Sequence, residues 1–306
     1  MTTDFFAAKQ ARGDDRARPH AARDEGELIA TRRGGRRGRG AVTLVIAAAT
    51  SALLALAGCA AQPARWKTPP AGGLPDYQLG GAYDPDSRVA IVARDRTAQP
   101  AAGAYSICYI NGFQTQPGEL DAWPDEALLR APSGEVHFDP DWPDEALLDT
   151  SSADSRSIIA ETVAGWIRGC ARAGFDAVEF DNLDSYSRSD GTLSFADNLA
   201  LATELVAAAH REGLAAGQKN APDHAAELRE RAGFDFAVTE ECNVFTECAA
   251  YTSVYGEHVI DIEYTAALPR PFAEMCADEA APRSMVLRDR PLSSPGDPGY
   301  AFELCG

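Results

Sequence analysis

Short apolar runs recur along residues 77–288. Seven of them close on a polar or charged residue, and most are followed by a stretch with helical periodicity. This alternation constrains the fold more than any other feature, because strand–helix repeats build a parallel sheet covered by helices. Nine runs qualify as strands: Tyr77–Gly80, Val89–Arg94, Tyr105–Ile110, Ala146–Asp149, Ala177–Asp181, Ala215–Lys219, Phe236–Glu240, Val259–Glu263 and Met285–Arg288. Asp154–Ala173 places Ile158, Ile159, Val163, Trp166, Ile167 and Cys170 on one helical face. Ser194 is placed to cap a second helix through His210, and His224–Ala232 reads as a shorter one. Gly174, Gly213 and Gly233 each follow a helix and precede a strand, as C-terminal caps do. The expected fold is α/β, a (β/α)8 TIM-type barrel with room for one extra strand. A doubly wound parallel sheet is the second arrangement, and no Gly-rich phosphate loop follows a strand to support a nucleotide-binding version.

In a barrel all parallel strands end at one mouth, so the residues that terminate them converge. Here the terminating residues are Arg94-Asp95, Asp149, Asp181-Asn182-Leu183-Asp184, Gln218-Lys219-Asn220, Glu240-Glu241, Glu263-Tyr264 and Arg288-Asp289. A single polar strand end is an ordinary turn former, but seven together predict a polar mouth rich in carboxylates. Paired carboxylates without a metal motif fit glycoside hydrolysis, where one carboxyl protonates the leaving oxygen and the other attacks or activates water. There is no CxxC or HExxH motif, and His137, His210, His224 and His258 are scattered, so neither a metal nor a cofactor is expected.

The net charge of −18 is unevenly spread. Residues 1–40 hold ten basic and six acidic residues, whereas residues 59–306 hold 18 basic and 40 acidic, a balance of −22. Such a domain repels nucleic acid and suits a cationic partner. Ala41–Ala57 is an uncharged apolar run preceded by Arg36, Arg37 and Arg39, and it ends in Leu56-Ala57-Gly58-Cys59. It is short for a spanning helix and long enough for a signal core. The segment resembles a bacterial lipoprotein signal, which implies cleavage before Cys59, lipidation of that thiol and a mature protein anchored to the outer face of the cytoplasmic membrane. The expected organisation is a signal with a long basic lead over 1–58, a Pro/Gly-bearing tether over 59–75 and the barrel domain over 76–306. Six cysteines remain, an even number that suggests disulfides in an exported domain. Cys242 and Cys248 are close enough to close a small loop, Cys276–Cys305 would staple the C-terminus, and Cys108–Cys170 is what remains.

One feature has no explanation at the level of sequence. The heptapeptide Trp-Pro-Asp-Glu-Ala-Leu-Leu occurs twice, at 123–129 and 142–148, too few copies for a solenoid.

Several segments together resemble family 114 of the glycoside hydrolases, the endo-α-1,4-polygalactosaminidases. They are Tyr77-Gln-Leu-Gly-Gly81, Ile107-Cys-Tyr-Ile-Asn111, the stretch Gly174–Tyr186 with its Asp181-Asn-Leu-Asp184, Gln218-Lys-Asn220, Phe234–Cys242 and Ile262-Glu-Tyr264. Phe180 departs from the family, where many members carry Pro. The resemblance implies a TIM-type barrel, no metal cofactor and cleavage within galactosamine-containing polysaccharide, a cationic amino-sugar polymer when its amines are free. It places the catalytic pair at Asp181 and Glu240, with Asp184 and Glu241 as the alternative registers. Tyr109, Asp149, Glu179, Asn182, Asp184, Lys219, Asn220, Glu241, Glu263, Tyr264 and Asp289 are the expected substrate contacts. Period-2 alternation sets Glu179 on the same face as Asp181. Trp66, Trp123 and Trp142 are candidates for stacking on sugar rings. The rival reading is a non-catalytic carbohydrate-binding lipoprotein on the same barrel, which would bind without turnover.

Overall fold

Along each central strand the side chains alternate between two apolar environments, and that alternation is what a strand inside a helix-covered barrel requires. The computed structural model describes residues 66–306; the expected signal and residues 59–65 of the expected tether, Cys59 included, lie outside the described residues. Eight parallel strands follow in sequence order: β1 (Pro75–Gln78), β2 (Ile91–Asp95), β3 (Tyr105–Asn111), β4 (Ala177–Asp181), β5 (Ala215–Lys219), β6 (Phe236–Glu240), β7 (Val259–Tyr264) and β8 (Ser284–Arg288). A short β9 (Phe302–Leu304) pairs antiparallel with β8. Across the seam, Arg288 of β8 donates to the Tyr77 carbonyl and, at 3.0 Å, to Asp76 Oδ1 of β1. The result is a nearly closed (β/α)8-type barrel with one extra strand.

Ile107, Ala177, Ala215, Phe236, Val238, Ile260, Ile262 and Val286 fill the barrel interior. Their alternates, among them Cys108, Ile110, Val178, Phe180, Ala216 and Ala237, pack outward against the helices. Gly217 is the small member of this interior: a Cβ there would lie 2.5 Å from the ring of its register partner Phe236.

Helix α1 (Ala153–Ala173) joins β3 to β4, and its N-terminus is capped by the Ser152 hydroxyl, which accepts from Ser155 N. Helix α2 (Phe195–Arg211) joins β4 to β5 behind a capping box of Ser194 and Asp197. The expected third helix is broken into a 3-10 turn, one α-turn and a π-turn over 222–232. Two short helices complete the layer, α3 (Cys248–Tyr255) and α4 (Phe272–Cys276). Gly174, Gly213 and Gly233 all take positive φ where their helices stop. The three disulfides are Cys108–Cys170, Cys242–Cys248 and Cys276–Cys305.

Of the nine expected strands, Ala146–Asp149 is the one outside the barrel. It lies in a long excursion over residues 112–152 between β3 and α1, held by isolated antiparallel bridges. There the repeat acquires its physical account. Leu128 bridges Leu148, and Leu129 N donates to Leu147 O at 2.9 Å, so the two copies pair with each other about a local pseudo-twofold. Their leucines are all buried. The C-terminal β9 carried no strand signal; its three residues pair with the β8 edge, next to Cys305, which is bonded to Cys276.

Segment 66–73 crosses the end of the barrel opposite the strand C-termini. Trp66 stacks on His210 at 3.7 Å and donates to Asp235 Oδ1 at 3.0 Å. The Lys67 carbonyl accepts from Tyr105 Oη, and the Pro69 carbonyl faces His258 Nδ1. No helix among the described residues is long and apolar enough to cross a membrane.

Candidate active site

Three consecutive strands end in the same way. Asp181 closes β4, Lys219 closes β5 and Glu240 closes β6. Each is followed by a residue in the left-handed region: Asn182 at φ 61°, Asn220 at φ 49° and Glu241 at φ 59°. Asparagine tolerates this conformation better than most residues. The turn stops the strand abruptly, so the last inward side chain points into the mouth and the next residue swings away. Of each adjacent pair, one member reaches the centre and the other does not.

The centre is the Lys219 ammonium, which is almost fully buried. Nζ lies 3.2 Å from Asp181 Oδ2, 3.4 Å from Glu240 Oε2 and 3.6 Å from Glu179 Oε1. It also sits 3.3 Å from Tyr77 Oη and over the rings of Tyr77 and Tyr109. Burial alone would discharge the lysine, but Asp181, Glu240 and Glu179 outweigh it and hold the amine's pKa well above its ordinary value.

Asp181 accepts from Tyr109 Oη at 2.8 Å and from its neighbour Asn182 N at 2.8 Å. Glu240 accepts from Tyr264 Oη and from Asn220 Nδ2, and its own N–H donates to Asn220 Oδ1 at 3.0 Å. Burial works against the Glu240 charge. Lys219 and the Tyr264 and Asn220 hydrogen bonds prevail and hold its carboxyl well below the usual range. Both carboxylates remain partly exposed to the mouth.

Glu179 lies beneath them, two residues back on β4 and shut off from solvent. One oxygen accepts from Tyr77 Oη at 2.5 Å, and the other has no hydrogen-bond partner among the described residues. Burial pushes this carboxyl up to about 7 against the pull of Lys219. It therefore supports the lysine from below rather than facing the mouth.

The remaining expected contacts divide. Asp184 reaches Arg188 at 2.9 Å, and that arginine also donates to Asn182 Oδ1. Glu241 turns to Arg290 at 2.6 Å, and Arg290 packs over the Tyr264 ring at 4.4 Å. The geometry therefore brings together Asp181 and Glu240, not their acidic neighbours. Three residues lie away from the cluster. Asp149 caps a turn at Ser151. Asp289 braces the loop before β9 by accepting from Ser293 N and Ala301 N. Glu263 shares the outward face of β7 with Asp261, where it accepts from Asn243 N, because period-2 alternation that turns Tyr264 inward turns Glu263 outward. Trp123 is buried edge-on against Trp166, Trp66 is at the far end of the barrel, and Trp142 stands 46% exposed.

Sequence reasoning overlooked Tyr77 and Asn111. Both lay in segments already singled out, and Asn111 shares the inward parity of Tyr109. It also overlooked Glu145, which only the tertiary fold brings to Asn111, 3.1 Å away. Glu145 is half-buried; burial first and the Asp181 charge next push its carboxyl up to about 7. A surface depression of about 320 Å3 between α1 and α2 is lined mainly by alanines and lacks the convergent polar groups of a binding site.

A model described as glycoside-hydrolase family GH114 matches residues 55–306. No curated protein sequence matches. Among solved structures, Ega3 of Aspergillus fumigatus, determined as a complex with galactosamine, is 24% identical with a TM-score of 0.64, covering 80% of this chain and 99% of its own. The glycoside hydrolase domain of PelA from Pseudomonas aeruginosa is 14% identical with a TM-score of 0.50, covering 73% of this chain and 97% of its own. At these identities the likeness is one of fold.

Proposed function

Because the chain belongs to glycoside-hydrolase family 114, it is a glycoside hydrolase, and we propose that it cleaves within α-1,4-linked galactosamine-containing polysaccharide. The observation that carries the proposal is the sharing of one buried ammonium by Asp181 and Glu240 at the ends of β4 and β6. Two carboxylates at the mouth of a barrel, oriented by tyrosines around one shared lysine, are the equipment of glycosidic bond cleavage. One serves as nucleophile and the other as acid and then base. Both oxygens lie within 3.4 Å of Nζ, so they are separated by less than twice that distance. So short a reach agrees better with the roughly 5–5.5 Å of retaining pairs than with the roughly 6.5–9.5 Å of inverting ones.

The substrate fits the charge. A polymer of galactosamine with free amines is a polycation, and the acidic domain draws it in and raises its local concentration. Ega3, in its complex, holds galactosamine itself. Export follows the signal-like segment before Cys59. A lipid anchor at Cys59 would hold the domain by the segment that starts at Trp66, which packs on the barrel end opposite the mouth.

The test incubates the chain from residue 59, with Cys59 replaced by serine, with partly deacetylated galactosaminogalactan and reads the products by mass spectrometry. Galactosamine-rich oligomers that disappear in both Asp181→Asn and Glu240→Gln are the expected result. Intact polymer from folded protein would defeat the substrate assignment. Activity surviving in both variants would defeat the catalytic pair.

A further inference from the structure

The two copies of Trp-Pro-Asp-Glu-Ala-Leu-Leu pair with each other and bury the same leucines, yet their first and fourth residues meet different surroundings. In the first copy Trp123 is 5% exposed against Trp166 of α1, and Glu126 is in solvent. In the second copy Trp142 is 46% exposed, and Glu145 is the half-buried member. Identical heptapeptides have identical local preferences, so the difference comes from position: the second copy overhangs the mouth.

That copy is fixed rigidly to the strand ends. Glu145 N donates to Trp142 O at 2.9 Å, closing the turn. Asp139 accepts from Trp142 N on one oxygen and from Arg188 Nε on the other, and Arg188 in turn holds Asn182. Glu145 Oε2 accepts from Asn111 Nδ2 at 3.1 Å, and Asn111 is the register partner of Asp181. Its second oxygen takes no hydrogen bond among the described residues. A carboxylate in this position, one residue pair from the reacting centre, meets whatever group projects from the sugar next to the scissile bond. An indole presented on the same turn offers an apolar face to a ring.

We propose that Glu145 and Trp142 form a sugar subsite beside the catalytic pair, in which Glu145 binds the ammonium of a 2-amino sugar and Trp142 stacks on a neighbouring ring. The proposal rests on the glycosidase reading of the same mouth and adds to it the residue that selects a free amine over an acetamide. Crowding of Glu145 against Asp181 agrees with it, since an incoming cation relieves the like-charge repulsion and favours the ionised carboxyl. An acetamide brings no charge and gains nothing from this carboxylate.

The experiment measures binding by calorimetry in the chain from residue 59 carrying Asp181→Asn, which removes turnover. The ligands are two defined α-1,4-linked galactosamine oligosaccharides, one with free amines and one fully N-acetylated. Added Glu145→Gln is expected to weaken the free-amine ligand about tenfold or more, the scale of a hydrogen bond to a charged group, and to leave the acetylated ligand within about twofold. Added Trp142→Ala, an exposed position whose loss leaves the core intact, should weaken both ligands by similar factors. Equal losses for the two ligands in Glu145→Gln, or no preference for the free amine in the starting protein, would overturn the proposal. The same oligosaccharides are then given to protein with Asp181 intact. Amine-selective binding through Glu145 without cleavage would sink the glycosidase reading and leave the subsite standing. Cleavage with no selective effect of Glu145 would do the reverse.

Discussion

Replacing Lys219 by methionine removes the one cation that three carboxylates share. At an effective dielectric constant of about 20, each of the contacts at 3.2, 3.4 and 3.6 Å is worth roughly 5 kcal/mol before desolvation. Burial of the lysine offsets much of that sum, but removing one partner of a buried ion pair leaves the other charges uncompensated and costs about 3–5 kcal/mol. Urea unfolding at pH 7 should therefore show a loss of about that size. The loss should also depend on pH. Lys219 holds Glu240 below its ordinary value of 4.5, so the stability Glu240 contributes is present above pH 4.5 and fades as pH falls through the depressed folded value. Without the lysine only the Tyr264 and Asn220 hydrogen bonds and the Arg290 charge still lower Glu240, so the gap between variant and parent is widest above pH 4.5 and narrows in acid. In the same variant Glu240 protonates at higher pH, which moves the acid limb of the activity profile upward, and turnover should fall about 100-fold or more. A gap below about 1 kcal/mol, or one that does not change with pH, would show that the ammonium is not the counter-charge on which this site depends.

Other perturbations read different parts of the molecule. Glu179 has its folded pKa raised to about 7 from 4.5, so it costs stability as pH rises between those values; Glu179→Gln should flatten that decline, a difference of up to about 3 kcal/mol seen by comparing melts at pH 4.5 and 7.5. Gly217→Ala drives a methyl group into the Phe236 ring inside the barrel and should cost about 1–3 kcal/mol in chemical denaturation, with an unchanged midpoint counting against the close packing described. Replacing Cys276 and Cys305 together by serine opens a loop of 29 residues and should lower stability by about 3–4 kcal/mol while the mouth keeps its activity, because β9 and its staple stand apart from Lys219.

Much of this protein was legible in the order of its residues. All eight barrel strands and the first two helices are local patterns, with Gly174 and Gly213 marking where the helices stop. The parity rule placed Glu179 with Asp181, and the shared mouth of a parallel barrel placed Asp181, Lys219 and Glu240 near one another before any distance was known. The same rule, applied to where an apolar run ends rather than to which face it ends on, swept in Asp149, Glu263 and Asp289. They sit at strand or turn ends, but they point elsewhere.

The sequence by itself determined where the strands and the helices that cover the sheet lie and the set of residues from which a site could be built, because each of these depends on neighbours a few residues apart. Tertiary structure decided which member of each acidic pair faces the mouth. That choice turns on single left-handed residues after β4, β5 and β6, and nothing in Asp181-Asn-Leu-Asp184 or Glu240-Glu241 fixes it locally. It also decided the fate of the two identical heptapeptides. Trp123 met the helix α1 and was buried, whereas Trp142 met the edge of the mouth and stayed in water. Burial and charge are properties of what surrounds a residue, and for a strand end or an excursion those surroundings come from residues far away in the chain.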